Sequence, residues 1–106
     1  MVDFEKITGF DWDQGNQRKN ADKHGVSRSE TEQVFFNDPL LPVEDVCHSQ
    51  SEKRIHALGK TNTGRVLHVV FTLRNDETLI RIISARDMHK KERLRYGREA
   101  SANPQF

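Results

Sequence analysis

Residues 65–86, with the sequence RVLHVVFTLRNDETLIRIISAR, contain the pattern that decides the fold of this chain of 106 residues. From Arg65 to Arg74 apolar residues alternate with others, which is typical of a strand with one buried face. The buried side of that alternation comprises Leu67, Val69, Phe71 and Leu73, and the other side comprises His68, Thr72 and Arg74. A tight turn, Asn75-Asp76-Glu77, separates this strand from the next one, Thr78–Arg86. We therefore predict an antiparallel hairpin.

The second strand of this hairpin contains two arginines, Arg81 and Arg86. Strict alternation places them on opposite faces, so that one reaches the open side of the sheet and the other can brace a carboxylate. More cations and a tyrosine follow: His89, Lys90, Lys91, Arg93, Arg95 and Tyr96. The arginine side chain is a rigid fork of donors that matches phosphate oxygens. The pattern favours a phosphate-binding surface, with RNA as the expected ligand; the alternative is a set of ordinary solvated charges.

Caps and turn residues locate the other elements. Two helices are predicted near the start, one from the cap Asp13 to His24 before Gly25, and one from a cap at Ser27 or Ser29 to about Phe36. The remaining elements are an edge strand or an extended connector at Leu40–Val46, a strand at Arg54–Lys60, and a last helix from Met88 to about Arg98.

The predicted fold class is α+β, with two N-terminal helices, an antiparallel sheet of three to four strands and a C-terminal helix. The helices are expected to cover one face of the sheet and to leave the other partly open. Length predicts a single domain over residues 1–106, with a leader at residues 1–9 and a flexible tail at residues 99–106.

Charge is distributed unevenly along the chain. Residues 1–50 carry five Lys and Arg against ten Asp and Glu, whereas residues 51–106 carry twelve against six. The basic half favours a polyanionic ligand. Cys47 is the only cysteine, so an intrachain disulfide is impossible and a reducing, cytoplasmic location is expected. No stretch approaches the length of an apolar membrane span.

Metal binding is not expected, because no two of the five histidines have the spacing of a zinc site on a helix. His56 and His68 could still meet across strands. No cofactor motif is present, since Gly59 and Gly64 only bound a turn. A single histidine is more often a hydrogen-bonded structural group than a catalyst.

The candidate residues follow from this reasoning. Phosphate binding and charge stabilisation are assigned to Arg54, Arg74, Arg81 and Arg86, and proton transfer or base stacking to His24, His68 and Tyr96. Further RNA contacts are assigned to Lys23, Lys90, Lys91 and Arg93. Tyr96 could instead pack the last helix onto the sheet. Asp87, beside Arg86, could neutralise part of a phosphate site.

Several blocks in a fixed order resemble the BrnT family of bacterial toxins. They are Phe10-Asp11-Trp12-Asp13, Lys23-His24-Gly25-Val26, Asp38-Pro39-Leu40, Ala57-Leu58-Gly59, Gly64-Arg65-Val66-Leu67, Val70-Phe71-Thr72, Arg81-Ile82-Ile83-Ser84-Ala85-Arg86 and Glu92-Arg93 with Tyr96. The similarity extends over about residues 10–97.

This resemblance implies a RelE-like fold and the toxin of a type II toxin–antitoxin system. Such a toxin would be a metal-independent endoribonuclease that inhibits translation. It would be neutralised in a hetero-oligomer by a BrnA-type antitoxin, through which it would reach operator DNA. A function of another class also fits the residues: a catalytically weak module that acts with a DNA-binding antitoxin in autoregulation of the operon.

Overall fold

The computed structural model describes residues 3–44 and 54–102. The elements in chain order are strand β1 (Gly9–Asp11), helices α1 (Gln14–His24) and α2 (Arg28–Gln33), strands β2 (Leu41–Glu44), β3 (Ile55–Lys60), β4 (Val66–Arg74) and β5 (Leu79–Asp87), and helix α3 (Lys90–Ala102). Single 3₁₀ turns lie at Phe4–Lys6 and Val34–Phe36. The α+β class is confirmed. No helix in the described part of the chain is long and apolar enough to cross a membrane.

The sheet has five strands in the order β1-β5-β4-β3-β2. The strands from β2 to β5 pair antiparallel, as predicted, whereas β1 pairs parallel with β5. The prediction of three to four antiparallel strands was therefore wrong, because it left out the parallel edge strand β1. Strand β1 is only three residues long, and its partner lies far along the chain, with Gly9 opposite Leu79. Such a short segment has no periodicity to read.

Capping residues set the ends of the first two helices as predicted. The Asp13 side chain accepts from the backbone N–H of Asn16, and Gly25 ends α1 in the left-handed conformation at φ 62°. Ser27 and Glu30 form a reciprocal capping box at the start of α2. The predicted second helix is in part a 3₁₀ turn, since α2 stops at Gln33 and a 3₁₀ turn continues to Phe36.

One face of the sheet holds the main core and is covered by α1, α2 and the 3₁₀ turns. Buried side chains on this face come from three neighbouring strands, with Phe71 between Ile55 on one side and Ile82 on the other. The rest of the buried cluster comprises Val26, Val34, Ala57, Leu67, Val69, Ile80 and Ala85. The predicted apolar side of β4 is thus the core side.

A β-bulge interrupts the pairing of β4 with β5. Val70 lies opposite Ser84 and Phe71 opposite Ile82, so Ile83 is an extra residue on β5. The inserted residue shifts the alternation of side chains by one. Arg81 and Arg86 therefore share one face, because their partners Thr72 and His68 are four residues apart on β4. The prediction that the two arginines lie on opposite faces was wrong.

Two asparagines of α1 satisfy the edge of β5 beyond the end of β1. The Nδ2 of Asn16 donates to the carbonyl of Ile82 at 3.5 Å, and the backbone N–H of Ala85 donates to Oδ1 of Asn20 at 3.3 Å. Asn20 is buried, at 2% exposure. These contacts take the place of strand pairing on both sides of the bulge residue.

Helix α3 packs on the second face of the sheet, opposite α1 and α2. Met88 and Tyr96 bury themselves against Leu58 of β3, with Leu41 and Val66 at the edge of the cluster. The expectation that all helices cover one face was wrong, because the apolar side of α3 has its own partner cluster on the other. No other helix in the described part of the chain packs on the remainder of that second face.

Candidate active site

Four polar side chains meet where α3 borders the open part of the sheet. They are His56 of β3, His68 of β4, Arg86 of β5 and Glu92 of α3. His68 and Arg86 are directly opposite each other in the pairing, whereas His56 lies diagonally from His68 because its own partner is Val70. Side chains at these positions share a face of the sheet and lie within contact range. Three adjacent strands and one helix thus build the cluster.

Arg86 and Glu92 form a bidentate ion pair at the base of the cluster. Nη1 donates to Oε1 at 2.9 Å and Nη2 to Oε2 at 3.0 Å. The same carboxylate accepts from the backbone N–H of His89 at 2.8 Å. These donors, Arg86 above all, lower the pKa of Glu92 to about 2. Glu92 is therefore ionised throughout the physiological range.

His68 connects this ion pair to His56. Its Nδ1 is hydrogen-bonded to Nη2 of Arg86, and its Nε2 lies 2.9 Å from Nδ1 of His56. The side chain is only 13% exposed. Burial and, after it, the charge of Arg86 lower the pKa of His68 to about 4. His68 is thus an uncharged imidazole near neutral pH.

A cleft of about 290 Å³ opens beside this cluster. Its lining comprises His56, Leu58, His68, Lys91, Glu92 and Arg95. Lys91 and Arg95 are one turn apart on α3, so their exposed cationic groups border the same opening. Beside the histidine pair and the carboxylate of Glu92, the cleft therefore has two cations, which suit a phosphate group.

The other predicted phosphate-binding arginines lie outside this cluster. Arg81 lies in the middle of β5, where its Nε is 3.4 Å from Oδ2 of Asp11 in an ion pair. Arg74 ends β4 and is exposed, and Arg54 is exposed just before β3. Only Arg86 of the four belongs to the histidine cluster. A role in phosphate binding stays a prediction for each.

Tyr96 lies in the apolar cluster under α3, outside the lining of the cleft. Its hydroxyl donates to the carbonyl of Pro39 at 2.6 Å, and burial raises the pKa of Tyr96 to about 12. This geometry favours the packing role over proton transfer.

Asp87 belongs to a different cluster from Arg86, contrary to expectation. It lies opposite Leu67, on the core side of β5, and its carboxylate binds Arg65. Arg65 also donates to Glu30 and to the carbonyl oxygens of His24 and Gly25. The side chain of Asp87 therefore pairs with Arg65, and the carboxylate partner of Arg86 is Glu92.

The remaining predicted residues fall into two groups. His24 is half-buried at the end of α1, beside the Arg65 cluster, and Lys23 is exposed next to it. On α3, Lys90 and Arg93 are exposed, and Arg93 donates to the carbonyl of Met88 at 2.7 Å. Only Lys91 of the predicted RNA-contacting lysines and arginines lines the cleft.

Sequence reasoning named Arg95 only among the cations of the last helix and Glu92 only in the family resemblance, and it assigned no site role to either or to His56. The sequence did contain a sign of the role of Glu92, because this acid lies in the first turn of the basic helix that follows Arg86. The meeting of His56 with His68 across strands was foreseen as a possibility and is confirmed. Among the described side chains, no group of three His, Cys, Asp or Glu is arranged to hold a metal ion.

A small α+β domain with this sheet has a solved counterpart among ribonuclease toxins. The crystal structure of the Brucella abortus ribonuclease toxin BrnT, at 1.1 Å resolution, superposes with a TM-score of 0.54. The match covers 79% of this chain and 100% of that one at 20% sequence identity, so the likeness concerns the fold. No match was found among curated protein sequences.

Family membership follows from the sequence. The family described as "Ribonuclease toxin, BrnT, of type II toxin-antitoxin system" matches residues 12–92, which is most of the chain. The protein belongs to this BrnT family. The resemblance seen in the sequence is thereby confirmed.

Proposed function

We propose that this protein is an endoribonuclease that cleaves RNA in the cleft beside α3 and so inhibits translation. The observation that carries the proposal is the pair of hydrogen-bonded histidines, His56 and His68, at a cleft bordered by Lys91 and Arg95. Imidazoles transfer protons and cations bind phosphate, and both groups face one opening. Membership of the BrnT family supports the same conclusion.

The reaction that fits these groups is transesterification within the RNA strand. The 2′-hydroxyl loses its proton and attacks the adjacent phosphorus, the bond to the 5′-oxygen breaks, and that oxygen gains a proton. The products are a 2′,3′-cyclic phosphate and a 5′-hydroxyl. Negative charge builds up on the phosphate oxygens in the transition state, where Lys91 and Arg95 would stabilise it. The arginines on the open face would hold the flanking phosphates.

Catalysis without a metal ion is part of the proposal. A metal would need the lone pairs of the carboxylate and the imidazoles, and these are largely engaged. Glu92 accepts from Arg86 through both oxygens, and Nδ1 of His68 accepts from the same guanidinium. This donor set supports acid–base catalysis by the protein side chains themselves.

The test is cleavage of a labelled RNA oligonucleotide by the purified chain in the presence of EDTA. We expect fragments that end in a 2′,3′-cyclic phosphate, and no cleavage at a position where a single nucleotide is 2′-deoxy. His56→Ala should lose the activity, whereas Lys19→Ala, an exposed substitution on α1, should keep it. Cleavage at the 2′-deoxy position, or a strict need for a divalent ion, would exclude the mechanism.

The partner in this proposal is a BrnA-type antitoxin that neutralises the toxin in a cytoplasmic hetero-oligomer and carries it to operator DNA. Type II membership implies an antitoxin. The exposed cations of α3 suit an acidic partner segment, because opposite charges speed association. Co-expression with a BrnA-type antitoxin should abolish toxicity and yield a stable complex on gel filtration.

A binding module with weak catalysis is the second candidate, and one observation favours it. Two of the four predicted phosphate-binding arginines are already paired with carboxylates of the chain, Arg86 with Glu92 and Arg81 with Asp11. Expression of the chain alone separates the candidates: growth arrest with RNA cleavage supports the ribonuclease, and normal growth with folded protein supports the module.

A further inference from the structure

The contacts of His68 define the direction of a chain of hydrogen bonds. A guanidinium group has only donors, so the Nδ1 of His68 that faces Arg86 must accept. An uncharged imidazole that accepts at one nitrogen carries its proton at the other. The proton of His68 therefore lies on Nε2, the atom that faces His56.

The same reasoning extends to the second histidine. Nε2 of His68 donates, so Nδ1 of His56, 2.9 Å away, accepts. An uncharged His56 then carries its proton on Nε2. Both hydrogen bonds are donated in the same direction, from Arg86 to His68 and from His68 to His56. Arg86 sets this direction, because its guanidinium group does not lose a proton.

Glu92 keeps the guanidinium in place at the start of the chain. Its two oxygens hold both terminal nitrogens of Arg86, and Nη1 also donates to the carbonyl of Asp87 at 2.9 Å. Oε2 of Glu92 is also 3.3 Å from Nδ1 of His68, so the reverse arrangement is within reach. In that arrangement His68 would donate to Glu92 from Nδ1, and its proton would face the guanidinium of Arg86. The positive charge of Arg86 disfavours this arrangement.

The other charged groups near His68 act in opposite directions. The positive charge of Arg86 opposes protonation of His68, whereas the negative charge of Glu92 favours it. Lys91 and Arg95 line the cleft on α3, and His89 precedes the helix. Glu92 is already bound to Arg86.

We propose that Glu92, Arg86 and His68 are positioning residues that fix His56 in the tautomer protonated at Nε2, and that His56 is the imidazole that acts on RNA. The proposal rests on the proposed ribonuclease function for its last clause only. His68 is hydrogen-bonded to both Arg86 and His56, and His56 ends the relay in the lining of the cleft, so the role is assigned to His56. A wrong tautomer is enough to disable a catalytic imidazole even where its position is kept.

The first test is independent of activity. The ¹⁵N shifts of the imidazole nitrogens in the labelled, full-length protein report which nitrogen carries the proton. At neutral pH we expect both His56 and His68 to be protonated at Nε2 in the wild type. In Arg86→Leu the proton of His68 should move to Nδ1 and donate to Glu92, whereas Arg86→Lys should keep the wild-type tautomer. A wild-type His68 protonated at Nδ1 would overturn the relay without any variant.

The second test assigns the roles through kinetics on the RNA oligonucleotide. We expect His56→Ala and Arg86→Leu each to lower kcat by roughly 10²-fold or more with KM little changed, and Arg86→Lys to restore most of the rate. Full activity of His56→Ala would overturn the assignment of His56. If the wild type shows the expected tautomers and cleaves no RNA, the relay stands and the ribonuclease proposal fails. If the wild type cleaves RNA but shows the opposite tautomers, the ribonuclease proposal stands and the relay fails.

Discussion

Arg65 holds Asp87 through two parallel hydrogen bonds, Nε to Oδ1 at 2.7 Å and Nη2 to Oδ2 at 3.0 Å. This contact explains why an acid directly after Arg86 does not neutralise it. Successive residues of a strand point to opposite faces, so Asp87 turns towards the core side and Arg86 towards the cleft. Arg65 and Arg86 lie on opposite sides of the sheet, and each has its own carboxylate. Asp87 pairs with Arg65, and Glu92 pairs with Arg86.

Asp87→Asn should therefore leave RNA cleavage unchanged and lower stability modestly. The carboxylate is 60% exposed, so solvent screens the pair and we expect a loss of about 1 kcal/mol. Urea denaturation and the oligonucleotide assay measure the two effects. Arg28→Ala, which removes the exposed pair with Glu32 within one helix, is the control and should cost about 0.5 kcal/mol or less. A marked change in cleavage rate for Asp87→Asn would place Asp87 back in the site.

Acid should destabilise the fold in two steps. The pKa of His68 is lowered to about 4 in the folded state, so the unfolded chain takes up the proton first as pH falls from 6.5. Its contribution to stability is thus complete above pH 6.5 and lost by about pH 4. Glu92, with its pKa lowered to about 2, adds a loss that begins near pH 4.5.

The pH dependence of the free energy of unfolding checks this prediction. His68→Gln should flatten the curve between pH 6.5 and 4 by on the order of 2 kcal/mol, while Gln14→Ala, at an exposed position of α1, should leave it as in the wild type. An unchanged slope in His68→Gln would show that another group controls this range.

Asn20→Ala should weaken the contact of α1 with β5. The buried N–H of Ala85 would lose its acceptor, and an unsatisfied buried donor costs about 1–3 kcal/mol. Hydrogen exchange gives a local reading, because the amide of Ala85 should exchange faster than other amides of β5. Gln14→Ala, on an exposed position of the same helix, should change neither quantity. Unchanged protection of Ala85 would mean that Asn20 does not hold the strand edge.

Tyr96→Phe should keep the catalytic activity and lose stability. The substitution removes one buried hydrogen bond to Pro39 and leaves the packing of the ring, so a loss of about 1–2 kcal/mol is expected. Thermal denaturation and the cleavage assay, run on the same preparation, separate the two roles. If a folded Tyr96→Phe no longer cleaves RNA, the phenol takes part in the chemistry after all.

Lys91→Ala and Arg95→Ala should weaken RNA binding and reduce its salt dependence. Each phosphate contact to a single strand contributes about 0.7 to the slope of log affinity against log salt. We therefore expect each variant to reduce that slope by about this amount. Lys19→Ala and Arg18→Ala, exposed on α1, are the matched controls for the lost charges. Equal slopes for all four variants would show that RNA does not bind at the cleft.

Local signals in the sequence predicted the elements well. Asp13, Ser27 and Gly25 act through neighbours within a few residues, so their caps can be read without the fold. The hairpin of β4 and β5 was also predicted, because a long alternating strand and a turn follow each other directly.

Features that depend on distant neighbours were missed. Strand β1 pairs with β5, far along the chain, and the two asparagines of α1 bind the edge of β5 on both sides of the bulge at Ile83. Without the bulge, strict alternation separates Arg81 from Arg86 and hides the arginine surface. The partner of Arg86 was missed for a related reason, since the placement of α3 on the second face decides that Glu92 reaches it.

The order of β3, β4, β5 and α3 along the chain also determines when the cleft can form during protein synthesis. A ribosome releases β3, β4 and β5 before α3, so His56, His68 and Arg86 emerge ahead of Glu92 and Arg95. Until α3 is made, the cleft lacks one wall and Arg86 lacks its carboxylate. The message that encodes this chain is thus read as far as the codon for Arg95 before the cleft can form on the new protein.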